Sequence, residues 1–446
     1  MPLENCGCVA GVMITASHNP PEYNGYKVYW EDGAQITSPK DQFIMEEVNR
    51  ISDYTCIQTM KKEEAIQKGL YQEIGQEMDN AYIEELKKQS IQPEMIAKQK
   101  DISIVYTPLH GAGNEPVQKI LKEMGFTNVF VVPEQEKPDG DFPTVEYPNP
   151  EDKKAFALAL KWAKQRNAEL VLATDPDADR LGVYVKEKET GEYIPLTGNM
   201  SAIVILNYLL AEKKKKAEIP QNAAIVKSIV SSTMADAIAK DYGVTVFDVL
   251  TGFKYIGEKI KEFEKTKEYT FLFGFEESYG CLVGTHARDK DGVVAVMMLC
   301  EAAAYYKEQN SSIEEELQKL YQKYGYYQEE TMQVTLKGMD GAKKMQEMID
   351  TMRKEPPKTL GGYKIQRIRD YKEKEILEVE TGKKVATGLP KSNVLYYELE
   401  NSAWCCVRPS GTEPKIKYYV GVRENTSQQA KEQMEKIQED ICHNLS

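Results

Sequence analysis

The sequence predicts a protein of the α/β class that ends in an α+β unit, and three observations carry this prediction. Apolar strands alternate with helical segments between residues 101 and 174, which is typical of a mostly parallel sheet with crossover helices. The alternation starts again near residue 196 and continues to about 325. From residue 326 onward, a strand, a helix, a strand pair and a last helix indicate an α+β arrangement.

The first predicted element is an apolar segment, residues 9–16, which we expect to form a buried strand. A turn follows at residues 19–21, where Asn stands before two prolines. Residues 40–90 have helical periodicity and many Glu, Gln and Lys. The first clear α/β unit comes next, with predicted strands at 101–106, 128–132 and 169–174 and predicted helices at 118–124 and 155–165.

The second α/β unit and the closing unit are predicted in the same way. A lysine run at residues 213–216 is read as a solvated helix end or loop. The second unit has predicted helices at 202–210 and 292–306 and predicted strands at 223–226, 244–247 and 269–273. The closing unit has predicted strands at 331–336, 393–397, 404–407 and 416–420 and predicted helices at 341–353 and 427–444.

Composition excludes several classes of protein. The chain has 446 residues, 41% of them hydrophobic, which at roughly 150 residues per domain suggests about three folded domains. A net charge of -13 argues against a nucleic-acid-binding surface, since a phosphate backbone needs a basic face. No apolar run approaches the length of a membrane span, and no secretory signal is visible. Eight cysteines without a Cys-x-x-Cys arrangement predict a reduced, cytoplasmic protein.

The most specific motif is the segment from Thr174 to Arg180, TDPDADR, which directly follows a predicted buried strand. Its three carboxylates stand at every second position, so they can converge on one hard cation, and oxygen ligands alone favour Mg²⁺ or Ca²⁺. A calcium EF-hand would need Gly at the sixth position and Glu at the twelfth. Here those positions hold Arg180 and Lys186. A solvated acidic turn is the remaining alternative.

A second motif, Thr15 to Pro20 with the sequence TASHNP, also follows a predicted strand. Ser17 is either a nucleophile at a strand end or a residue that forms or caps the turn. A hydrolase triad is disfavoured, because the chain has no Gly-x-Ser-x-Gly elbow. We expect the side chain of His18 to diverge from that of its neighbour Ser17 and therefore not to act as its base.

Two further loops carry polar groups that could bind a ligand. Residues 274–280, GFEESYG, could bind sugar hydroxyls through paired carboxylates and a serine, or could simply begin a helix. Residues 408–415, RPSGTEPK, could form an oxyanion-binding loop or a plain hairpin turn. Arg is scarce, with nine Arg against forty-eight Lys, and three of the nine lie in or near these motifs, which favours planar bidentate recognition there. The three are Arg180, Arg288 and Arg408.

In residue type and in their order along the chain, these motifs resemble those of the α-D-phosphohexomutase family, in its bacterial phosphoglucomutase/phosphomannomutase branch. The resemblance covers essentially the whole chain. It implies that Ser17 is a phosphorylated serine and a metal ligand, that Lys27 assists proton transfer and that Arg180 is catalytic. It implies a magnesium site made by Asp175, Asp177 and Asp179. It implies substrate binding by Gly252, Lys254, Glu276, Ser278, Arg288, Arg408, Ser410, Gly411 and Thr412.

The resemblance also implies the architecture and the reaction. It implies three related mixed-sheet α/β domains and a C-terminal α+β domain around a central cleft, at 1–95, 96–195, 196–325 and 326–446. The implied enzyme is an intramolecular phosphotransferase of the isomerase class that interconverts glucose 1-phosphate and glucose 6-phosphate. It would use Mg²⁺, a phosphoserine and a sugar 1,6-bisphosphate intermediate. A small phosphosugar is the expected partner, with no nucleic acid, no membrane, and a monomer or weak dimer as the expected assembly.

One feature departs from the family pattern and leaves alternatives open. Family members usually carry a longer segment before the serine strand, so we expect the first domain, 1–95, to be incomplete. An incomplete sheet would expose apolar strand faces and an unpaired edge, and this would favour association or low stability. The alternatives are a phosphomannomutase, a phosphopentomutase, an inactive phosphosugar- or metal-binding remnant and, less favoured, a phosphatase.

Overall fold

The structure is a computed structural model that describes residues 7–335, 341–410 and 415–444. The chain divides into two units. The first unit contains the described residues up to Lys227 together with Gly243–Phe247 and Gly252–Ile313. The second unit contains Ser228–Tyr242, Asp248–Thr251 and the described residues from Glu314 onward.

Helices form near the predicted positions, and most of them are longer than predicted. The lysine run of residues 213–216 lies at the C-terminal end of one helix. The helices of the described residues are α1 (Lys40–Arg50), α2 (Lys62–Gln67), α3 (Gln76–Lys87), α4 (Pro93–Lys98), α5 (Asn114–Met124), α6 (Ala157–Arg166), α7 (Gly198–Lys215), α8 (Met234–Tyr242), α9 (Phe253–Thr266), α10 (Gly292–Glu308), α11 (Ile313–Tyr324), α12 (Gly341–Lys354) and α13 (Ser427–Asn444).

The predicted strands are also present, together with several short antiparallel strands that the sequence analysis did not identify. The strands are β1 (Ala10–Ile14), β2 (Tyr26–Trp30), β3 (Ile104–Thr107), β4 (Val129–Val131), β5 (Leu170–Thr174), β6 (Leu181–Lys186), β7 (Tyr193–Leu196), β8 (Ala223–Ser228), β9 (Thr245–Val249), β10 (Thr270–Phe275), β11 (Cys281–Val283), β12 (Tyr326–Thr335), β13 (Thr359–Leu360), β14 (Tyr363–Asp370), β15 (Glu375–Glu378), β16 (Lys384–Ala386), β17 (Leu395–Leu399), β18 (Trp404–Pro409) and β19 (Lys415–Glu424).

A five-stranded mixed sheet of order β4-β3-β5-β6-β7 positions the aspartate motif. Its central strands β3 and β5 run parallel and are fully buried, which agrees with their continuous runs of Val, Leu, Ile and Ala. Strand β6 returns antiparallel to β5. The aspartate motif is therefore the turn of a hairpin at the carboxyl end of a buried strand.

A four-stranded mixed sheet of order β11-β10-β8-β9 resembles the first, with β8 and β10 parallel and β11 antiparallel. Helix α10 is buried from Gly292 to Tyr306, as expected for an apolar segment inside an α/β unit. Its first turn is capped by Asp291, whose carboxylate accepts hydrogen bonds from the N–H groups of Val293 and Val294.

The first predicted strand forms, but the prediction that it is buried was wrong. Strand β1 pairs antiparallel with β2 alone in a two-stranded sheet. Val9, Val12 and Ile14 are exposed by more than half, whereas Lys27 and Tyr29 of β2 are partly buried and contact the aspartate turn and Asp289. The apolar pattern by itself suggested burial.

The second unit contains the strands and helices expected for the α+β arrangement, together with Ser228–Tyr242, Asp248–Thr251 and the described chain from Glu314 onward. Its eight-stranded sheet runs β12-β19-β18-β17-β14-β15-β16, with β13 paired to β14, and the strand pairs formed by its described residues are antiparallel. Residues of β17, β18 and β19 pack against α12 and α13 to form one apolar core. Of the predicted strand at 331–336, Leu336 lies outside the described residues, and the strand itself begins at Tyr326.

The described residues were inspected for a membrane-spanning helix and for disulfide bonds. None of their helices combines the length and the hydropathy required to cross a bilayer. The seven described cysteines form no disulfide, while Cys6 lies outside the described residues.

Candidate active site

The aspartate turn between β5 and β6 brings three carboxylates together. Oxygens of Asp175, Asp177 and Asp179 all lie within 4.8 Å of one another. Asp175 Oδ1 accepts hydrogen bonds of 3.0 Å from the N–H groups of Asp179 and Arg180, and this closes the turn. A side chain at Gly111 would overlap Pro176, so the turn also depends on close backbone packing.

Three cations surround these carboxylates. Lys27 Nζ lies 2.9 Å from an oxygen of Asp177 and of Asp179, and Lys290 Nζ lies 2.7 Å from Asp179. The Arg180 Nε lies 3.8 Å from both Asp175 and Asp179, while its Nη1 binds Glu151 at 2.6 Å. The formal charges of the three aspartates and the three cations therefore cancel.

This environment shifts the pKa values of the site. Burial, followed by the charges of Asp179 and Asp177, raises the pKa of Asp175 well above its ordinary value. Burial alone would raise the pKa of Asp179, but Lys290 and then Lys27 hold it below its ordinary value. Burial alone would lower the pKa of Lys27, but Asp179 and Asp177 raise it. Asp179 and Lys27 are therefore charged at neutral pH.

The serine loop that follows β1 reaches this cluster. Ser17 Oγ lies 3.4 Å from Asp175 Oδ2, and Thr15 Oγ1 donates to Asp177 at 3.3 Å. Ser17 has a φ of 52°, an uncommon conformation for a residue other than glycine, and its N–H donates to Thr15 Oγ1 at 2.7 Å. The structure therefore brings together the two motifs that the sequence separates by more than 150 residues.

The expectation for His18 needs correction. Its Nδ1 lies 3.1 Å from Ser17 Oγ, although side chains of neighbouring residues usually diverge. The left-handed backbone at Ser17 turns the two side chains to the same side. Burial, and then the charge of Arg180, lower the pKa of His18 to about 4. The ring is therefore neutral at pH 7 and able to exchange a proton with the serine hydroxyl.

The predicted sugar-reading loop lies between β10 and β11 and does not begin a helix. Glu276 is buried and accepts a 2.6 Å hydrogen bond from the N–H of Gly252, so two predicted substrate-binding residues touch each other. Burial raises the pKa of Glu276. Ser278 lies in the same turn, whose Tyr279 carbonyl accepts from the N–H of Leu181 at 2.9 Å. That bond connects the loop to the strand after the aspartates.

Lys254 and Arg288 are engaged with other residues of the first unit. Lys254 lies in the first turn of α9, with its Nζ 3.9 Å from Asp41. Arg288 is buried and donates to Glu264 at 2.6 Å and to the Thr285 carbonyl at 2.9 Å. Their roles in substrate binding remain predictions.

The predicted phosphate-binding loop belongs to the second unit. Arg408 lies on β18, and the N–H of Ser410 donates to the Lys415 carbonyl at 2.7 Å across a hairpin. Gly411 and Thr412 lie outside the described residues. Anion binding by this loop remains a prediction.

Sequence reasoning missed Lys290, whose Nζ contacts Asp179 and lies 3.6 Å from Asp289. Asp289 in turn accepts from Tyr29 at 3.1 Å and from Gln35 at 2.8 Å, so this turn also holds the β1–β2 ribbon. A signal was present, because the charged run Arg288–Asp291 stands directly before an apolar helix.

The donor set fits a hard divalent cation. Asp177 Oδ1 and Asp179 Oδ1 are buried and have no hydrogen-bond partner among the described residues, whereas buried polar atoms normally have one. Carboxylate oxygens that all lie within 4.8 Å of one another could converge on one hard cation such as Mg²⁺. Ser17 Oγ would be the fourth ligand.

Three domain families match the chain. Residues 2–55 match phosphoglucomutase/phosphomannomutase, alpha/beta/alpha domain I. Residues 80–190 match domain II and residues 197–324 match domain III of the same family.

Curated relatives match over most of the chain. The phosphoglucomutase of Staphylococcus haemolyticus is 32% identical over 422 residues, which cover 94% of this chain and 74% of the relative. The phosphoglucomutase of Staphylococcus saprophyticus is 33% identical over 426 residues, 96% of this chain and 76% of the relative.

Solved structures share the fold at low identity. Parafusin, a phosphoglucomutase from Paramecium, has a TM-score of 0.67 at 19% identity, with 99% of this chain and 78% of that chain covered. A phosphoglucomutase/phosphomannomutase family protein from Burkholderia thailandensis has a TM-score of 0.63 at 16% identity, with coverage of 98% and 78%. Aspergillus fumigatus N-acetylphosphoglucosamine mutase, in complex with GlcNAc-6P and magnesium, has a TM-score of 0.56 at 13% identity, with coverage of 100% and 91%.

Proposed function

We propose that this chain, which belongs to the phosphoglucomutase/phosphomannomutase family and is a phosphohexose mutase of the isomerase class, interconverts glucose 1-phosphate and glucose 6-phosphate. We propose glucose as the sugar of the substrate because the relatives at 32–33% identity are phosphoglucomutases. The single observation that carries the mechanism is the 3.4 Å contact between Ser17 Oγ and Asp175 Oδ2. It sets a serine hydroxyl against a carboxylate triad able to hold a metal ion.

Ser17 is the phosphoryl carrier in this proposal. The free hydroxyl of the sugar phosphate attacks the phosphorus of phosphoserine 17, so that a sugar O–P bond forms while the Ser17 Oγ–P bond breaks. The product is a sugar 1,6-bisphosphate. After the bisphosphate reorients, Ser17 Oγ attacks its other phosphorus, so that an Oγ–P bond forms while that sugar O–P bond breaks. The serine proton passes to the released sugar oxygen, and the isomerised monophosphate leaves.

We assign different roles to His18 and Lys27 at the serine oxygen: proton acceptance to His18 and charge neutralisation to Lys27. The neutral His18 ring, 3.1 Å from Ser17 Oγ, accepts the hydroxyl proton when the serine is rephosphorylated. Lys27 keeps its proton because Asp177 and Asp179 raise its pKa. We therefore assign Lys27 to charge neutralisation in place of the proton transfer that the family resemblance implies.

The three aspartates and Ser17 would hold the metal ion, which when bound draws charge from the transferring phosphoryl group. Arg180 is held by Glu151 at 2.6 Å beside Asp175 and Asp179, where its guanidinium would contact the phosphoserine. Glu276, Ser278 and Gly252 would bind the sugar hydroxyls. The remaining predicted contacts to substrate come from Lys254, Arg288, Arg408, Ser410, Gly411 and Thr412.

The main experiment compares Ser17→Ala with Ser52→Ala, which changes an exposed serine of the same segment. Conversion of glucose 1-phosphate is measured by coupling glucose 6-phosphate to a dehydrogenase, and mass spectrometry locates phosphate on the intact protein. We expect Ser17→Ala to lose both turnover and phosphate and Ser52→Ala to keep both. Full turnover by Ser17→Ala would end the phosphoserine proposal.

Two further measurements refine the proposal. Chelation should abolish turnover, and added Mg²⁺ should restore it, whereas activity that survives thorough chelation would contradict the aspartate assignment. Relative kcat/KM for the 1-phosphates of glucose, mannose and ribose decides the substrate. A higher value for mannose or ribose would replace glucose in the proposal while leaving the mechanism intact.

A further inference from the structure

The turn that joins β11 to α10 ends in three charged residues with different partners. Asp289 accepts a hydrogen bond from Tyr29 of β2, and Lys290 binds Asp179 of the aspartate motif. The third residue, Asp291, is buried, and its carboxylate binds other groups of the first unit. The turn therefore connects the candidate site to a second, buried carboxylate.

The Asp291 carboxylate accepts more hydrogen bonds than a helix cap requires. Its Oδ1 accepts from the N–H groups of Val293 and Val294 at 2.8 Å and 3.1 Å, which caps α10. The hydroxyl of Tyr82 lies 2.9 Å from Oδ1 and 2.8 Å from Oδ2, and His286 Nε2 lies 2.8 Å from Oδ2. Because an ionised carboxylate only accepts, both side chains donate to it. Capping accounts for the two backbone bonds but not for the two side-chain donors.

The position of the His286 ring is explained by this contact. Its side chain is 1% exposed, and its Nδ1 is buried with no hydrogen-bond partner among the described residues. A buried polar atom without a partner is destabilising, and an apolar ring of similar size would avoid that cost. The bond from Nε2 to Asp291 is therefore the interaction that accounts for a histidine here.

Tyr82 brings a separate helix to the same carboxylate. It lies on α3, 209 residues before Asp291 in the chain. The carboxylate is thus bonded by groups from α3, from the β11–α10 turn and from α10 itself. It cannot rotate without losing a hydrogen bond, so its orientation is fixed.

The backbone on both sides of the Asp291 side chain is also tied down. The N–H of Asp291 donates to the Cys281 carbonyl at 2.9 Å, and the N–H of Gly292 donates to the Ala178 carbonyl at 2.9 Å. A side chain at Gly292 would overlap the carbonyl oxygens of Ala178 and Arg180. The start of α10 therefore packs directly on the aspartate turn, and a displacement of Asp291 would reach that turn.

The side chain of Lys290 is confined along its length. A side chain at Gly280, in the predicted sugar-reading loop, would overlap the Cδ of Lys290, and the lysine Nζ then reaches Asp179 at 2.7 Å. A lysine has a flexible four-carbon stem, so a single orientation depends on the backbone that carries it. On its C-terminal side, that backbone is fixed by Asp291.

We propose that Asp291 is a positioning residue of the candidate active site, with its carboxylate fixed by Tyr82 and His286. It holds the backbone from which Lys290 contacts Asp179, and it acts on the site through that lysine. The inference rests on the proposed function, because the placement of Lys290 affects turnover only if the aspartates hold the metal ion of that reaction. A misplacement of about 1 Å at such a group can lower a rate about a hundredfold.

The test is a double-mutant cycle of Tyr82→Phe and Lys290→Met. Tyr82→Phe removes only the hydroxyl that donates to Asp291, so the aromatic ring and the cap of α10 remain. We expect it to lower kcat/KM for glucose 1-phosphate about tenfold and to tighten Mg²⁺ binding about threefold, in the direction expected of Lys290→Met. In the Lys290→Met background, Tyr82→Phe should change neither quantity, because the lysine through which it acts is gone. An effect of the same size in that background, or no effect in the wild type, would overturn the proposal.

Asp291→Ser separates positioning from capping. Serine is itself a good helix cap, but its hydroxyl cannot accept from Tyr82 and His286 as the carboxylate does. We expect Asp291→Ser to lower kcat/KM at least about tenfold and to tighten Mg²⁺ binding. Wild-type values of both would reduce Asp291 to a helix cap and overturn the positioning role.

Tyr193→Phe is the matched control. The Tyr193 hydroxyl also bonds two oxygens, the carbonyls of Ala163 and Ala168 at 2.9 Å and 2.8 Å, neither of which belongs to the turn. It should leave kcat/KM and Mg²⁺ affinity unchanged, and a change equal to that of Tyr82→Phe would overturn the proposal. Calorimetric Mg²⁺ titration needs no turnover, so it judges the positioning role by itself. Coupling in Mg²⁺ affinity without conversion of any sugar phosphate would support the positioning role and overturn the proposed function alone.

Discussion

The ammonium group of Lys290 and that of Lys27 contact the same carboxylate oxygen, Asp179 Oδ2, at 2.7 Å and 2.9 Å. The two lysines come from a turn before α10 and from β2, far apart in the sequence. Their shared contact fixes the serine-bearing ribbon, the aspartate turn and the turn before α10 in one arrangement. Asp179 Oδ1, by contrast, has no hydrogen-bond partner among the described residues and lies 3.8 Å from Arg180 Nε.

The first prediction concerns Lys290→Met. Loss of this cation should weaken the positioning of Asp179 and lower kcat/KM about a hundredfold. It should also tighten Mg²⁺ binding, because one competing positive charge is removed from the carboxylates. Steady-state kinetics measures the loss in kcat/KM, and calorimetric titration measures the tighter Mg²⁺ binding. Lys161→Met, which changes an exposed lysine, is the matched control. Weaker metal binding would contradict this assignment.

A second prediction links phosphorylation to the metal. Without a metal the formal charges of three aspartates and three cations cancel, and phosphoserine adds about -1.5 to -2, which one Mg²⁺ would balance. We expect Mg²⁺ to bind about tenfold more tightly to the Ser17-phosphorylated protein than to Ser17→Ala. Calorimetric titration of the two forms measures this ratio, and equal affinities would show that Ser17 is remote from the metal.

The third prediction is a pH dependence of stability at Asp291. Burial alone would raise its pKa, but His286, at 2.8 Å, and then Tyr82 hold it below the ordinary value of 3.8. The stabilisation is therefore complete above about pH 4 and is lost as the pH falls through the lower folded pKa. Asp291→Asn should cost about 1–3 kcal/mol at pH 7.

Urea unfolding at several pH values checks this prediction. The difference between wild type and Asp291→Asn should shrink as the pH falls below about 4. Asp53→Asn, at the exposed cap of a short 3-10 turn, should not change the unfolding midpoint. A difference that grows as the pH falls would reverse the assigned sign.

A fourth prediction tests the ribbon that carries Ser17. A side chain at Gly25 would overlap the Thr15 carbonyl oxygen, so Gly25→Ala should displace the serine loop, lower activity and cost about 1–3 kcal/mol. Gly75→Ala is the control, because Gly75 has open space around it and a negative φ. Thermal unfolding and activity are measured for both variants. Equal stability and equal activity of Gly25→Ala and Gly75→Ala would show that the ribbon tolerates displacement.

Much of the fold could be read from local patterns. The apolar strands β3 and β5 and the helix α10 were predicted because burial on both sides leaves continuous apolar runs. Strands β6 and β11 were missed, since short antiparallel strands beside a turn lack a distinctive period. The burial of β1 was wrongly predicted, because an apolar strand is buried only where another layer of the protein covers it.

The candidate site, like the fold, could be predicted only in part from the sequence. Residue type and spacing were enough to identify the aspartate turn, the serine and their resemblance to one family. The contact of His18 with Ser17 depends on a φ of 52° at Ser17, which no side-chain pattern encodes. The shared contact of Lys27 and Lys290 with Asp179 could not be predicted, because the two lysines lie on a strand and a turn that are far apart in the sequence.

By itself, the sequence determined the chemistry available to this protein, namely a serine, three carboxylates and their order along an α/β chain. Only the tertiary structure decided which cations neutralise those carboxylates, which proton acceptor meets the serine and which apolar residues remain exposed. The physical reason is that covalent spacing sets local conformation, whereas charge compensation and burial depend on surfaces that meet only when the chain folds.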